Sequence, residues 1–278
     1  MDTATHMLRT GRRGARFEFE MALRDLRASA ERFGLAWSLA SHDVVSRYRG
    51  SILGPLWITL SMALIVLGIG FLWGELFRVS VHDFIPFVAL GIVFFGTVTT
   101  TINEGCETFV QAAPMLSQTN LPMFTFVWRT VLRNLINLGH HLLIVLAVLI
   151  YFGFWRTANY PVAALGILLM VTNIAWVSML VAIVSARFRD IPQIVAAVTQ
   201  AAALMTPVFW LPDRISPEHR AILDFNPFYH LLQAVRAPLM GVGVAPHTYL
   251  FLAAMAAAGW AVTFWLFART RRRIVHYL

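Results

Sequence analysis

Six stretches of 19 to 27 residues contain no Asp, Glu or Arg, at positions 55–74, 84–102, 134–155, 160–186, 191–211 and 248–268, and the chain has no Lys at all. A helix of about 20 apolar residues crosses the roughly 30 Å hydrocarbon core of a bilayer, where every backbone polar group must be satisfied within the segment. The pattern predicts an all-α membrane protein with six transmembrane helices. Composition agrees, because 58% of residues are hydrophobic and 13% charged, about half the charge of a soluble domain.

The 22 basic residues are all Arg, and against 14 acidic residues they leave a net charge of +8. Seventeen fall on one side of the six stretches; the other side holds Arg78, Arg156, Arg214, Arg220 and Arg236. Under the positive-inside rule this predicts a multi-pass membrane protein with both termini cytoplasmic. Anionic head groups, not nucleic acid, account for the Arg excess. A single cysteine, Cys106, precludes an intramolecular disulfide. The residues before position 55 show no cleavage-site pattern after a short apolar core, so they do not read as a secretory signal. Without Lys and without a GxxxxGK[ST] run the chain cannot hold nucleotide phosphates as a P-loop does. ATP-driven work would need another subunit.

Three predicted connections are short, at 78–83, 156–159 and 187–190, and two are long. The stretch 103–133 carries Glu104, Glu107, Gln111, Pro114, Gln118 and Pro122. The stretch 212–247 carries Pro212, Pro217, Pro227, Pro238 and Pro246 around the apolar run 225–235, bounded by Asp224 and Arg236. Eleven residues do not span, so that run predicts a re-entrant or interfacial helix. Ahead of the first span, Phe33, Trp37, Ala40, Val44 and Tyr48 recur every three or four positions while Ser38, His42, Asp43 and Arg47 fall elsewhere. This predicts an amphipathic interface helix within 35–54, with basic cytoplasmic tails at 1–34 and 269–278 and the six-span domain at 55–268.

Reactive constellations are missing. The chain has no HExxH, no GxSxG and no carboxylate inside a span. His140 and His141 are adjacent, so on a helix they point about 100° apart and cannot share a metal. We therefore expect no catalytic residue and no metal site. Aromatics are abundant, at 21 Phe, 9 Trp and 6 Tyr. Many anchor at the head-group level, but rings turned inward offer flat faces to a sugar chain without gripping one unit of it. Trp57, Phe71, Trp73, Phe209 and Trp210 are the candidates for such a path.

Four motifs then stand in order. RYRGSILGPLW at 47–57, INEGC at 102–106, RFRDI at 187–191 and NPFYHLLQAVRAPLMG at 226–241 resemble the membrane subunits of ABC exporters of polysaccharides, above all the O-antigen permeases. That resemblance implies a homodimer on two cytoplasmic P-loop ATPase subunits, which hold the ATP and Mg, with no cofactor in this chain. It implies a coupling helix at about 103–121, with Glu104, Glu107, Gln111 and Gln118 facing the ATPase and Arg187, Arg189 and Asp190 as a second contact. It makes 212–247 a pair of outward gate helices, with Phe228, Tyr229 and Arg236 as gate residues. The implied cargo is a lipid-linked polysaccharide whose pyrophosphate meets Arg47, Arg49, Arg129 and Arg133. Capsule polymer, teichoic acid or a small molecule on the same fold is the alternative, and a membrane-embedded glycosyl- or acyltransferase a more distant one.

Overall fold

In the computed structural model, which describes residues 15–77, 80–212 and 215–277, ten α-helices and no strand occur among the described residues. Five are long and apolar enough to cross a bilayer: α3 (Leu56–Phe77), α4 (Val81–Gln118), α5 (Met123–Tyr151), α6 (Tyr160–Arg187) and α10 (Pro246–Tyr277). The protein is thus an all-α, multi-pass membrane protein. Before these helices lie α1 (Ala15–Glu31) and α2 (Phe33–Arg47); between α6 and α10 lie α7 (Ile191–Met205), α8 (Ala221–Asp224) and α9 (Pro227–Leu239).

The fifth apolar stretch departs from the expected form. Its helix, α7, stops after 15 residues, and Thr206 is extended at φ −99 and ψ 135. Pro207 explains the stop, because proline has no N–H for the next helical bond and its ring disfavours a helical residue before it. The chain continues as extended and turning backbone to Leu211, which packs with Phe84, Phe87 and Val88 at the start of α4. The stretch 191–211 therefore follows α4 as part helix and part open chain.

The second span and the expected coupling segment form one helix. At 38 residues and a rise of 1.5 Å each, α4 is about 57 Å long, well beyond the thickness of a bilayer. It ends at Gln118, and four residues later α5 begins.

Residues 15–34 do not behave as a tail. α1 lies on α5 and α10 and buries Ala22, Asp25 and Ser29; residues 1–14 lie outside the described part. α2 packs on α5 through Ala36, Ala40 and Val44. Phe33 and Trp37, expected on the packed stripe, are 45% and 50% exposed. Small residues let two helices approach closely, so the Ala face meets α5 and the large rings are left for the lipid surface.

The main core joins α4, α5, α6, α9 and α10 around Phe94, Met170, Ile174, Leu232 and Leu252. α9 is set deep into it. A Cβ on Gly166 of α6 would collide with the Ala234 carbonyl, so only glycine permits this approach.

Candidate functional site

Two groups of polar side chains stand out, one along each half of α4. At the end carrying most arginines, α2 brings Asp43 beside α5. Arg129 grips Asp43 with both forks, Nε to Oδ2 at 2.7 Å and Nη2 to Oδ1 at 2.6 Å. One turn further along α5, Arg133 donates to Asp43 Oδ2 at 3.3 Å and twice to Glu104 Oε2 on α4, at 3.2 and 2.8 Å. Asn134 adds a 2.6 Å bond to the same Glu104 oxygen. Two arginines thus face two carboxylates with no net charge left over. Burial alone would raise the Asp43 carboxyl, and the hydrogen bonds and charge of Arg129, with help from Arg133, outweigh it and hold the pKa below its usual value. Asn103, next to Glu104, donates to Thr199 at 3.0 Å and ties α7 to the same level.

This geometry corrects two expectations. Arg129 and Arg133 are engaged by Asp43 and Glu104, so they are not open to a lipid head group. Glu104 turns its carboxylate to α5 and not to an outside partner. Among the expected head-group arginines, Arg47 and Arg49 are exposed. Glu107, Gln111 and Gln118 are exposed on the last turns of α4, with Gln111 donating to Glu107 at 2.7 Å. Arg187, Arg189 and Asp190 are exposed at the α6–α7 turn, with the Arg187 guanidinium 5.1 Å from the Phe188 ring centre.

At the other end, the open chain at 206–211 and α9 fold back on each other as a hairpin. Asn226 caps α9, accepting from the Phe228 and Tyr229 amides at 2.9 and 3.3 Å, and Pro227 occupies the first helical position, the arrangement that starts a helix. The same Asn226 donates to Thr206 Oγ1 at 3.1 Å, which pins the base of α9 to the end of α7. At its far end the Pro238 carbonyl accepts from the Asn159 amide at the head of α6, at 2.8 Å. α9 also presses on α4, with the Phe228 ring 5.8 Å from Phe95. The open chain before it does the same, since a Cβ on Gly91 would lie 2.9 Å from the Val208 carbonyl oxygen.

Arg236, expected to line a gate, is 1% exposed. Its Nη1 donates to the Pro207 carbonyl at 2.6 Å, its Nη2 to Gln233 at 3.1 Å, and its guanidinium lies 3.8 Å from the Phe87 ring centre. It is a clasp between α9, the broken end of α7 and α4, not a wall residue. Phe228 and Tyr229 are half-buried. Of the expected ring-lined path, Trp73 and Phe209 come together at 6.1 Å, and Trp210 donates to the Leu204 carbonyl at 3.2 Å. Trp57 and Phe71 lie exposed on α3, away from that pair. His230 was not foreseen. It is fully buried, and its Nε2 donates to the Asp224 carbonyl at 2.8 Å because a carbonyl only accepts. Nδ1 is then free to accept from Thr248 at 3.2 Å, joining α9 to α10.

Neither group is arranged for bond-making. Both are clasps between helices, one in which arginines are paired with carboxylates and one in which an arginine is held by a carbonyl, an amide and a ring. Similar proteins cover about three quarters of the chain. An O-antigen export system permease protein RfbA of Myxococcus xanthus is 25% identical over 206 residues, 73% of this chain and 79% of that protein. Two proteins of the same description from Klebsiella pneumoniae are 21% and 22% identical over 78% of this chain and 84% of their own. The family model for ABC-2 type transporters matches residues 35–240. As that match takes in α2, the charge cluster, all of α4 and the hairpin, the chain belongs to the ABC-2 type transporter family.

Proposed function

We propose that this chain is the permease subunit of an ATP-driven exporter that carries lipid-linked O-antigen polysaccharide across a bacterial inner membrane. One observation carries the reading. α4 is a single 38-residue helix whose exposed last turns bear Glu107, Gln111 and Gln118, while its first half holds the hairpin through Phe87, Gly91 and Phe95. A helix of that length transmits a push at one end to packing at the other.

The arginine-rich end faces the cytoplasm, and both termini lie there. Two copies of the chain form the path, and two P-loop ATPase subunits, which supply ATP and Mg, seat beneath the ends of α4 and the α6–α7 turn at Arg187, Arg189 and Asp190. Arg47 and Arg49 meet the pyrophosphate at the membrane surface. Closure of the ATPases shifts α4 against α5 at the charge cluster and loosens the hairpin at the far side. Half-buried Phe228, Tyr229, Trp73 and Phe209 then offer flat faces to the passing sugar chain. The names of the similar proteins support this cargo.

The test is reconstitution of the chain with its ATPase in proteoliposomes. Lipid-linked O-antigen is expected to stimulate ATP hydrolysis and to become accessible on the far side. Stimulation by capsule polymer, teichoic acid or a small molecule in its place would reassign the cargo. Turnover by the chain alone, without an ATPase, would overturn the transport reading.

A further inference from the structure

The family match begins at residue 35 and ends at residue 240, so α1 and α10 lie outside it, yet they meet at the foot of α4. α5 starts directly after Pro122, whose side chain caps nothing, leaving the first amides of the helix to find acceptors elsewhere. Asp25 of α1 supplies them. Its Oδ1 accepts from the Phe124 amide and its Oδ2 from the Met123 amide, both at 3.2 Å, across 98 residues or more of sequence. Oδ2 also accepts from Arg271 of α10, through Nε at 3.1 Å and Nη2 at 3.1 Å. The carboxylate is 1% exposed, and a negative charge at a helix start is favoured by the helix dipole. α1 is seated on both sides of it. Ala22 packs with Phe109, Phe124 and Phe267, and the Phe19 ring meets Phe264 edge-on at 5.0 Å.

We infer that Asp25 is a positioning residue for the coupling end of α4, the latch through which α1 and α10 hold the four-residue link 119–122. This rests on the permease reading above. A push on the last turns of α4 would bend a free four-residue link and be lost there. With the first turn of α5 held by Asp25, and Asp25 held by Arg271, the link cannot fold away and the push passes along α4. α1 thereby acts on the coupling segment without itself being the seat for the ATPase.

Asp25→Asn in the full-length chain, assembled with its ATPase in lipid nanodiscs and proteoliposomes, tests this. Arg271→Gln is the companion variant, because it leaves both amide contacts in place. Hydrogen exchange across 119–127 is expected to quicken about tenfold in D25N, the scale of losing charge-assisted hydrogen bonds, and less in R271Q, with α6 unchanged in both. Export per ATP hydrolysed is expected to fall about fivefold in D25N at unchanged chain abundance, by the same loss. Unchanged exchange at 119–127 overturns the proposal. So does faster exchange with export per ATP intact, or a parallel fall of export, hydrolysis and abundance, which marks a merely structural residue. Absence of polysaccharide-driven hydrolysis in the wild-type complex overturns the permease reading, and with it the coupling role, while a wild-type-to-D25N difference in exchange would preserve the clasp itself.

Discussion

The two halves of α4 each meet arginine and hold it differently. At the arginine-rich side Arg129 and Arg133 sit 25% and 11% exposed against Asp43 and Glu104, charge for charge. In the hairpin Arg236 is enclosed with a carbonyl, an amide side chain and the face of Phe87. A carboxylate pair near water tolerates the loss of one member, because solvent screens what remains. A guanidinium enclosed without a counter-charge is committed to its geometry, and every substitution leaves something unsatisfied. The first arrangement suits a joint that shifts readily, the second a joint that yields only under load.

Replacing Arg236 tests that contrast with the largest effect. Arg236→Ala leaves the Pro207 carbonyl buried without a donor and a void beside Phe87, and should cost about 2–5 kcal/mol, read by denaturant unfolding in detergent. Arg236→Lys should recover little, since an ammonium cannot lie flat on the ring while bonding the carbonyl. Full recovery by Lys would show that charge alone matters there. Next in size is Gly166→Ala, which drives a methyl into the Ala234 carbonyl and must displace α9, at about 1–3 kcal/mol. The same measurement checks it, and a neutral result would mean that α9 is loosely seated. Asp43→Asn should cost about 1–2 kcal/mol, with a coupling of similar size to Arg129→Met in a double-mutant cycle.

The Asp43 cluster also sets a dependence on pH. The folded carboxyl titrates below its ordinary value of 3.8, so the stabilisation is complete above that value and disappears as pH falls through the lower folded pKa. Melting temperature in detergent should therefore drop below about pH 4, and Asp43→Asn should flatten the drop. The smallest effect belongs to Glu107→Ala. Its pair with Gln111 is exposed, so stability should change by less than about 0.5 kcal/mol, while binding of the ATPase, if Glu107 faces it, should weaken measurably.

Much of this frame was readable in the residues, for reasons that also explain what was not. Of the six expected spans five form long apolar helices, because a bilayer demands about 20 uncharged residues in a row, and the run 225–235, too short to span, lies within α9 and the turn before it. Pro207 was visible as a helix breaker, yet its effect was missed because the apolar run continues to Leu211. α2 was found but its face is rotated, since Ala40 and Val44 of the expected stripe are buried with Ala36 while Phe33 and Trp37 lie exposed. α1 escaped notice because what organises it is Asp25, whose partners lie at Met123, Phe124 and Arg271. The i, i+4 spacing of Arg129 and Arg133 gave one shared face, but their carboxylates come from two other helices. Arg236 reads as a gate residue because nothing in its neighbourhood of sequence shows that the Pro207 carbonyl folds back to meet it.

The central claim is that α4 carries motion from the ATPase face to the hairpin. It is tested most directly by joining the hairpin to α4. Phe95→Cys and Phe228→Cys, whose parent rings lie 5.8 Å apart, are introduced with Cys106→Ser and bridged by a short cleavable thiol cross-linker in the ATPase complex. Export that is present before bridging, lost when bridged and restored on cleavage is the predicted result. Export that continues at its full rate with the bridge in place would contradict the account.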